Sequence, residues 1–284
     1  AVIAVGAVKR DGSALEKTCN EMGIGYYEIG DAGMARRAIN ATREAYDAAL
    51  NFDRPEEHAY VSRPKKLVFV TGATGTMGQE TMKQLLARNN RFKVRILARP
   101  SEKNRKLLRK YRCPSLEIVW GDMADYDTIR KCVDGAAYVL HIGAMVSPAA
   151  DQYPEQTLYT NIGSTLNIIK AIKEQPDPDQ VHLVYVGTVA MTGGRTEPVH
   201  WGRVGDPINP SIFDYYALSK VYSELALFES GLKHWVSIRQ TGQHPSSEGA
   251  GEEPIIFHQP PNNVLEWSTS IESGICMANA CEEW

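Results

Sequence analysis

Beyond residue 66 the chain alternates two hydrophobic rhythms. Short runs rich in apolar and β-branched residues recur at Leu67 to Val70, Lys93 to Ala98, Leu116 to Trp120, Ala137 to Ile142, Val181 to Val186 and Trp235 to Arg239. Their length and content are those of buried strands. Between them, residues 76–90, 101–111, 125–133, 155–174 and 214–230 place apolar side chains at helical spacing. Regular alternation of this kind predicts an α/β fold, a doubly wound parallel sheet that binds ligands at the carboxyl ends of its strands.

The first 66 residues follow other patterns. A strand-like stretch at Ala1 to Val5 precedes a helical one from Ser13 to Met22, which ends before Gly23. A second strand, Gly25 to Ile29, is closed by Gly30 and Asp31, and an Ala-rich helix runs from Ala35 to Leu50. Residues 51–66 hold two prolines and many charges without a sustained apolar period, as a linker does. The expected organisation is a small αβ unit at 1–50, a linker at 51–66 and a nucleotide-binding Rossmann domain at 67–244. Residues 245–284, irregular and containing Pro260, Pro261 and an exposed-looking Trp267, would form an incomplete substrate lobe.

Composition narrows the function classes. With 23% charged and 43% hydrophobic residues the 284-residue chain is expected to be globular. A formal net charge of −3 gives no electrostatic reason to expect nucleic acid or an anionic membrane. No apolar run reaches the roughly 18 residues of a membrane span, and no signal peptide opens the chain. Cys19, Cys113, Cys132, Cys276 and Cys281 are scattered without metal-ligand spacing, which fits a reducing, cytoplasmic setting and no metal site. The chain starts at Ala1 inside a strand pattern and ends at Trp284 without a turn signal, so a fragment of a longer polypeptide is expected.

The chemistry begins at Leu67 to Gly78, L-V-F-V-T-G-A-T-G-T-M-G. Gly72, Gly75 and Gly78 recur every third residue where a strand turns into a helix. A helix start presents unpaired N–H groups and the positive end of the helix dipole, and glycines let a pyrophosphate approach them. Gly72, Thr74, Gly75, Thr76, Met77 and Gly78 are therefore the expected dinucleotide cradle. After the second strand stands Arg99, followed by Lys103, Arg105 and Lys106. A carboxylate there would accept the ribose hydroxyls of NAD, whereas a guanidinium clasps a 2′-phosphate, so NADP is expected ahead of NAD.

Tyr216 and Lys220 stand four apart on a predicted helix and share one face. An ammonium beside a phenol stabilises the phenolate and lowers its pKa towards neutrality, and the same lysine can hold the nicotinamide ribose. Thr188, at the end of the fifth strand, can orient a substrate oxygen towards Tyr216. Tyr215 competes poorly, because the residue four after it is Ser219.

The glycine turn, Thr188 and the Tyr216/Lys220 pair, in that order on successive βα elements, resemble the extended short-chain dehydrogenase/reductases, the NAD-dependent epimerase/dehydratase type, over roughly residues 66–284. The resemblance implies further roles. Arg99 matches an arginine of reductases similar to dihydroflavonol reductase. Asp122, with Met123 beside it, would accept a hydrogen bond from the adenine amino group. Ala144, in His141-Ile142-Gly143-Ala144, would line the cofactor, with His141 a packed or hydrogen-bonded residue. Asn161, in T-N-I-G-S-T-L-N, matches the family's N-x-x-G-T and would keep the site open to a proton-relay water; a helix-start cap is the other reading. Where sugar-nucleotide dehydratases carry an acidic pair after the threonine, this chain has Val189 and Ala190, which disfavours dehydration. Separately, G-D-A-G-M-A-R-R-A-I-N-A-T-R-E-A-Y resembles the C-terminal end of the FAD-binding domain of old-yellow-enzyme-like 2-enoate reductases, where Asp31 would be the carboxylate that contacts the flavin ribityl chain. Without that family's glycine turn, FAD is not expected to bind.

The expected activity is hydride transfer between NADP(H) and a small carbonyl or secondary alcohol substrate. Tyr216 would donate or accept the proton, with Thr188, Lys220 and Asn161 completing the catalytic set. Rivals are an NAD-dependent nucleotide-sugar epimerase using the same residues, a nucleotide-sensing module without turnover, and a fragment too incomplete to act. Helices 155–174 and 214–230 are those by which the family commonly pairs into homodimers.

Overall fold

A computed structural model describes residues 13–22, 65–111, 113–194, 205–244 and 267–282. Contacts divide the chain into two compact units, one of residues 1–65 with 89–91 and the other of residues 66–88 with 92–284. In the first unit, helix α1 (Ser13–Glu21) agrees with the sequence pattern. The strands expected at Ala1 to Val5 and Gly25 to Ile29, the helix from Ala35, Asp31 and residues 51–64 of the linker lie outside the described residues.

The second unit is built on six parallel strands: β1 (Lys66–Thr71), β2 (Phe92–Ala98), β3 (Leu116–Trp120), β4 (Tyr138–His141), β5 (His182–Thr188) and β6 (Trp235–Gln240). Their order in the sheet is β3-β2-β1-β4-β5-β6. It is the doubly wound order expected from the alternation, with its switch point between β1 and β4. Thr71 pairs in register with His141, and His141 with Tyr185, so these three side chains lie in one row across the sheet at its carboxyl edge.

Both faces are covered, which is why the central strands read as apolar runs rather than alternating ones. Val68, Phe69 and Val70 are fully buried. On one face Phe69, Val139, Leu183 and Tyr185 share a core with helices α4 (Tyr126–Val133), α6 (Pro154–Lys173) and α7 (Tyr215–Glu229), through Ile129, Ile168, Ile172 and Leu227. The opposite face carries α2 (Thr76–Ala87), whose Met82, Leu85 and Leu86 are fully buried. Helix α3 (Glu102–Leu108) follows β2, and the short α5 (Ala149–Gln152) leads into α6.

Helix α7 is pinned to β6 by a buried carboxylate. Glu224 accepts from Ser237 Oγ at 2.6 Å and forms an ion pair with Arg239. Isolated, a charge this deep would be strongly unfavourable, and the paired guanidinium and hydroxyl offset it.

Residues 267–279 differ from the irregular segment expected there. β7 (Gly242–His244) pairs in parallel with β8 (Trp267–Thr269), which leads directly into α8 (Ser270–Asn279). The helix starts on a capping box: Thr269 Oγ1 accepts from the Glu272 N–H and the Glu272 carboxylate accepts from the Thr269 N–H. Helix α8 packs on α2. At Gly274 the two backbones come so close that a Cβ would stand 2.8 Å from the carbonyl carbon of Glu80.

That contact gives a prediction of sign. Gly to Ala inside a helix ordinarily stabilises by about 0.5–1 kcal/mol, but overpacking a tight contact costs about 1–3 kcal/mol. Gly274→Ala should therefore lower the urea midpoint. A raised midpoint would mean that α2 and α8 separate without penalty.

Candidate active site

The site is assembled where β1, β4 and β5 end. The chain leaves β1 through Gly72 at φ +70°, a left-handed conformation. A Cβ on Gly72 would lie 2.6 Å from the Cα and N of Gly143, in the segment after β4, and one on Gly78 only 2.0 Å from the Gly72 oxygen. Packing therefore demands glycine at both positions. Gly75 is different. It has ordinary extended geometry (φ −79°, ψ 173°), and its Cβ would meet the Gly72 oxygen at 3.4 Å, an ordinary contact. Nothing in the chain itself requires glycine there, so the open surface is available to a ligand.

Gly75 is the N-cap of α2 and supplies no side-chain cap, so the Thr76, Met77 and Gly78 N–H groups have no intrahelical acceptor. Gly75 N–H donates to the Gly72 oxygen at 3.0 Å and Gln79 Nε2 donates to the Thr74 oxygen at 3.2 Å, which fixes the turn. This is the geometry of an anion site at a helix start.

Other expected cofactor residues border the same edge. Arg99 follows β2 with its side chain exposed, and its carbonyl accepts from Asn104 Nδ2 at 2.8 Å. Asp122 follows β3 and accepts from the Ala124 N–H at 2.9 Å. A Cβ on Gly143 would stand 3.1 Å from Met123 Sδ, so Met123 abuts the turn. Ala144, half-buried, continues the β4 end. Among the other basic residues, Arg105 stacks its guanidinium over the Trp120 ring at 4.7 Å.

The residues expected to act as acid-base groups converge from β5 and α7. Thr188 caps the short turn Val189–Thr192 by accepting from the Ala190 N–H at 3.2 Å. The neighbouring Thr188 hydroxyl favours the phenolate of Tyr216 and draws the phenol's pKa down. Burial outweighs that effect, and Asp214 adds to it, so the Tyr216 pKa is raised overall. The expected depression by Lys220 is therefore corrected in the ligand-free protein. Lys220 Nζ instead donates to the Val186 oxygen at 2.7 Å and lies 4.7 Å from the Tyr185 ring centre. Burial lowers its pKa to about 7, against an opposing pull from Glu224. Near neutral pH the amine is poised between its two states, a property common in functional lysines.

Asn161 is not a helix-start cap, since it lies inside α6. Its Oδ1 accepts from the Met145 N–H at 2.7 Å, and its Nδ2 donates to the Met145 oxygen at 3.0 Å and to Ser219 Oγ at 2.9 Å. It ties the segment after β4 to the helix that carries Tyr216. Neither Ser219 nor Met145 stood out in the sequence; T-N-I-G-S-T was the available signal, and spacing alone could not say what the asparagine would hold.

The sheet order, the switch point and the glycine turn define the dinucleotide-binding Rossmann class. Residues 68–239, more than half of the chain, match the family model of the NAD-dependent epimerase/dehydratase family. The chain belongs to that family, within the extended short-chain dehydrogenase/reductases. It is 28% identical over 110 residues to a UDP-glucose 4-epimerase of Rickettsia rickettsii, a match covering 37% of this chain and 32% of the epimerase. To the inverting UDP-N-acetylglucosamine 4,6-dehydratase of Campylobacter jejuni it is 29% identical over 111 residues, 39% of this chain and 33% of the dehydratase. The match thus spans about a third of these relatives. Among solved structures, the Bordetella bronchiseptica enzyme WbmH in complex with NAD+ shares the fold at a TM-score of 0.63 and 23% identity, over 77% of this chain and 73% of that one. The Thermus thermophilus UDP-glucose 4-epimerase in complex with NAD does so at 0.60 and 19%, over 75% and 74%.

The depressed lysine makes stability depend on pH. Its folded pKa of about 7 lies below the ordinary 10.5, so the unfolded chain binds the proton more tightly between those values. Stability should rise with pH across that window, by up to about 1.4 kcal/mol per unit for this one proton, and fall as pH drops back towards 7. Lys220→Met should remove this slope in urea titrations at pH 7.5 and 9.5. An unchanged slope would mean that the amine is fully charged in the folded protein.

Proposed function

We propose that this chain carries the cofactor cradle and acid-base residues of a nicotinamide-dependent epimerase acting on nucleotide sugars. The observation that carries the reading is the grouping of the Tyr216 phenol with the neighbouring Thr188 hydroxyl, one helical turn from the buried Lys220 amine. The curated relatives are a nucleotide-sugar epimerase and a nucleotide-sugar dehydratase, which favours such substrates over simple carbonyl compounds. Val189 and Ala190, the residues after Thr188, offer no acid to a leaving hydroxyl, so epimerisation is favoured over dehydration.

The residues fit a dinucleotide. Gly72, Thr74, Gly75, Thr76, Met77 and Gly78 would hold its pyrophosphate, Asp122 and Met123 its adenine end, and Ala144 and Lys220 its nicotinamide half. When bound, the nicotinamide supplies a hydride acceptor and donor. Epimerisation needs one group that takes a proton from a sugar hydroxyl and later returns it, and Tyr216 is placed for both. Thr188 orients that oxygen, Lys220 supplies positive charge on the same side, and Asn161 keeps α7 in register with the segment after β4.

A second reading, an NADP-preferring carbonyl reductase, is favoured by Arg99, which stands where a carboxylate would select NAD. Pairing of two copies through α6 and α7 is supported by the exposed apolar side chains Tyr159 on α6 and Tyr222 and Phe228 on α7. Among the described residues no helix is long and apolar enough to cross a membrane, and no three His, Cys, Asp or Glu side chains cluster as metal ligands.

The reading is tested by incubating the purified chain with UDP-glucose and NAD and following the UDP-hexose products. Tyr216→Phe should reduce interconversion about 100-fold or more while nucleotide binding persists. Full activity in that variant would sink the assignment, and NADPH oxidation with a simple ketone but no UDP-hexose conversion would establish the reductase instead.

A further inference from the structure

A fully interior imidazole lies between the two halves of the site. His141 is 2% exposed, at the end of β4, in the row Thr71-His141-Tyr185. Its Nδ1 is 2.8 Å from Thr71 Oγ1, and its Nε2 is 3.2 Å from Thr165 Oγ1 and 3.3 Å from Ser164 Oγ.

The direction of these bonds follows from counting protons. Thr165 and Ser164 both donate to the Asn161 carbonyl, at 3.0 and 3.1 Å, so their oxygens are left to accept from the imidazole. With those two hydroxyls turned to the Asn161 carbonyl, the matching arrangement of the ring puts its hydrogen on Nε2 and leaves Nδ1 to accept from the Thr71 hydroxyl. The Thr71 oxygen in turn accepts from the Gly143 N–H at 3.0 Å, and Gly143 is the residue against which Gly72 packs. At the far end, the Asn161 side chain donates to Ser219 Oγ, which donates to the Tyr216 carbonyl at 2.7 Å. Ser223, one turn beyond Ser219, donates to the Asn161 carbonyl at 3.3 Å. Every polar group along this path is satisfied.

We propose that His141 is a positioning residue that joins the glycine turn to the Tyr216 helix through this hydrogen-bonded path, beside the Asn161–Met145 tie, so that the placement of one constrains the placement of the other. The inference rests on the reading of the turn as the cofactor site and of Tyr216 as the acid-base group. An apolar residue at 141 would fill the core equally well but break the path, leaving Thr71, Thr165 and Ser164 without their shared partner. Charge is excluded from the path as well: burial, reinforced by the facing Lys220 amine, lowers the imidazole pKa to about 3. The imidazole thus stays neutral throughout the pH range in which Lys220 titrates.

The test is amide hydrogen exchange on the full chain without nucleotide, comparing wild type with Thr71→Val and His141→Phe. Thr71→Val is nearly isosteric and cuts the path at the turn, on the far side of His141 from α7. It should speed exchange of the Leu218, Ser219 and Lys220 amides about tenfold while the amides of α3, off the path, keep their wild-type rates. His141→Phe should do the same, and His141→Gln, whose amide can still donate towards Thr165, should recover part of the loss. In the turnover assay His141→Phe should lower kcat about tenfold with KM little changed, a split that loss of stability alone does not produce. Wild-type exchange on α7 in both Thr71→Val and His141→Phe, or equal acceleration in α3 and α7, would overturn the proposal. A parallel NADH titration separates the two claims: coupled exchange in a chain that binds no nucleotide contradicts the functional reading alone.

Discussion

The close approach of Gly72 to Gly143 is the contact on which the site depends. It joins the first turn after β1 to the segment after β4, at the point where strand order reverses and the sheet opens a crevice. The two backbones could not come so near if Gly72 bore a side chain. Because they do, the α2 N-terminus faces the crevice, and the Thr71 hydroxyl beneath it reaches both the Gly143 N–H and His141. From there the buried polar row leads to Asn161 and α7. The glycine turn and the Tyr216 helix are thus parts of one construction rather than two separate features of a common sheet.

Electrostatics in this crevice are dominated by burial. It lowers the pKa values of Lys220 and His141 and raises that of Tyr216. Only the neighbouring Thr188 hydroxyl works to bring the phenol down. Burial therefore favours the neutral phenol at Tyr216 and leaves Lys220 near its midpoint at neutral pH. Glu224, paired with Arg239 and Ser237 one turn beyond Lys220, opposes the desolvation of that lysine while locking α7 to β6.

Much of this was legible in the sequence because it is written locally. Runs such as Leu67 to Val70 announce strands buried on both faces, and the six strands lie within a few residues of where hydrophobic rhythm places them. The glycine spacing and the Tyr216/Lys220 pair are likewise local signals. What stayed hidden depends on residues far apart in the chain. β8 has only three residues and pairs with β7 across more than twenty intervening positions, too short for a periodic signal, although Thr269 and Glu272 carried a readable capping box. The path through His141 joins four segments, and no window of sequence contains both ends of it. The direction of the Tyr216 shift depended on how deeply α7 is buried, which spacing does not encode. The proposed preference for an epimerase over a reductase rests on relatives rather than on residues, since Thr188, Tyr216 and Lys220 fit either proposal.

The central claim is that the turn after β1 is a nicotinamide dinucleotide site, and Gly75 tests it most directly because the fold leaves that position free. The measurement is a titration of wild type and Gly75→Ala with NADH and NADPH, following nicotinamide fluorescence, alongside their melting temperatures. The account predicts saturable binding to wild type and binding at least about tenfold weaker in Gly75→Ala, a loss of about 1.4 kcal/mol, with the melting temperature unchanged. Folded wild type that binds neither nucleotide, or Gly75→Ala that binds as tightly as wild type, would contradict it.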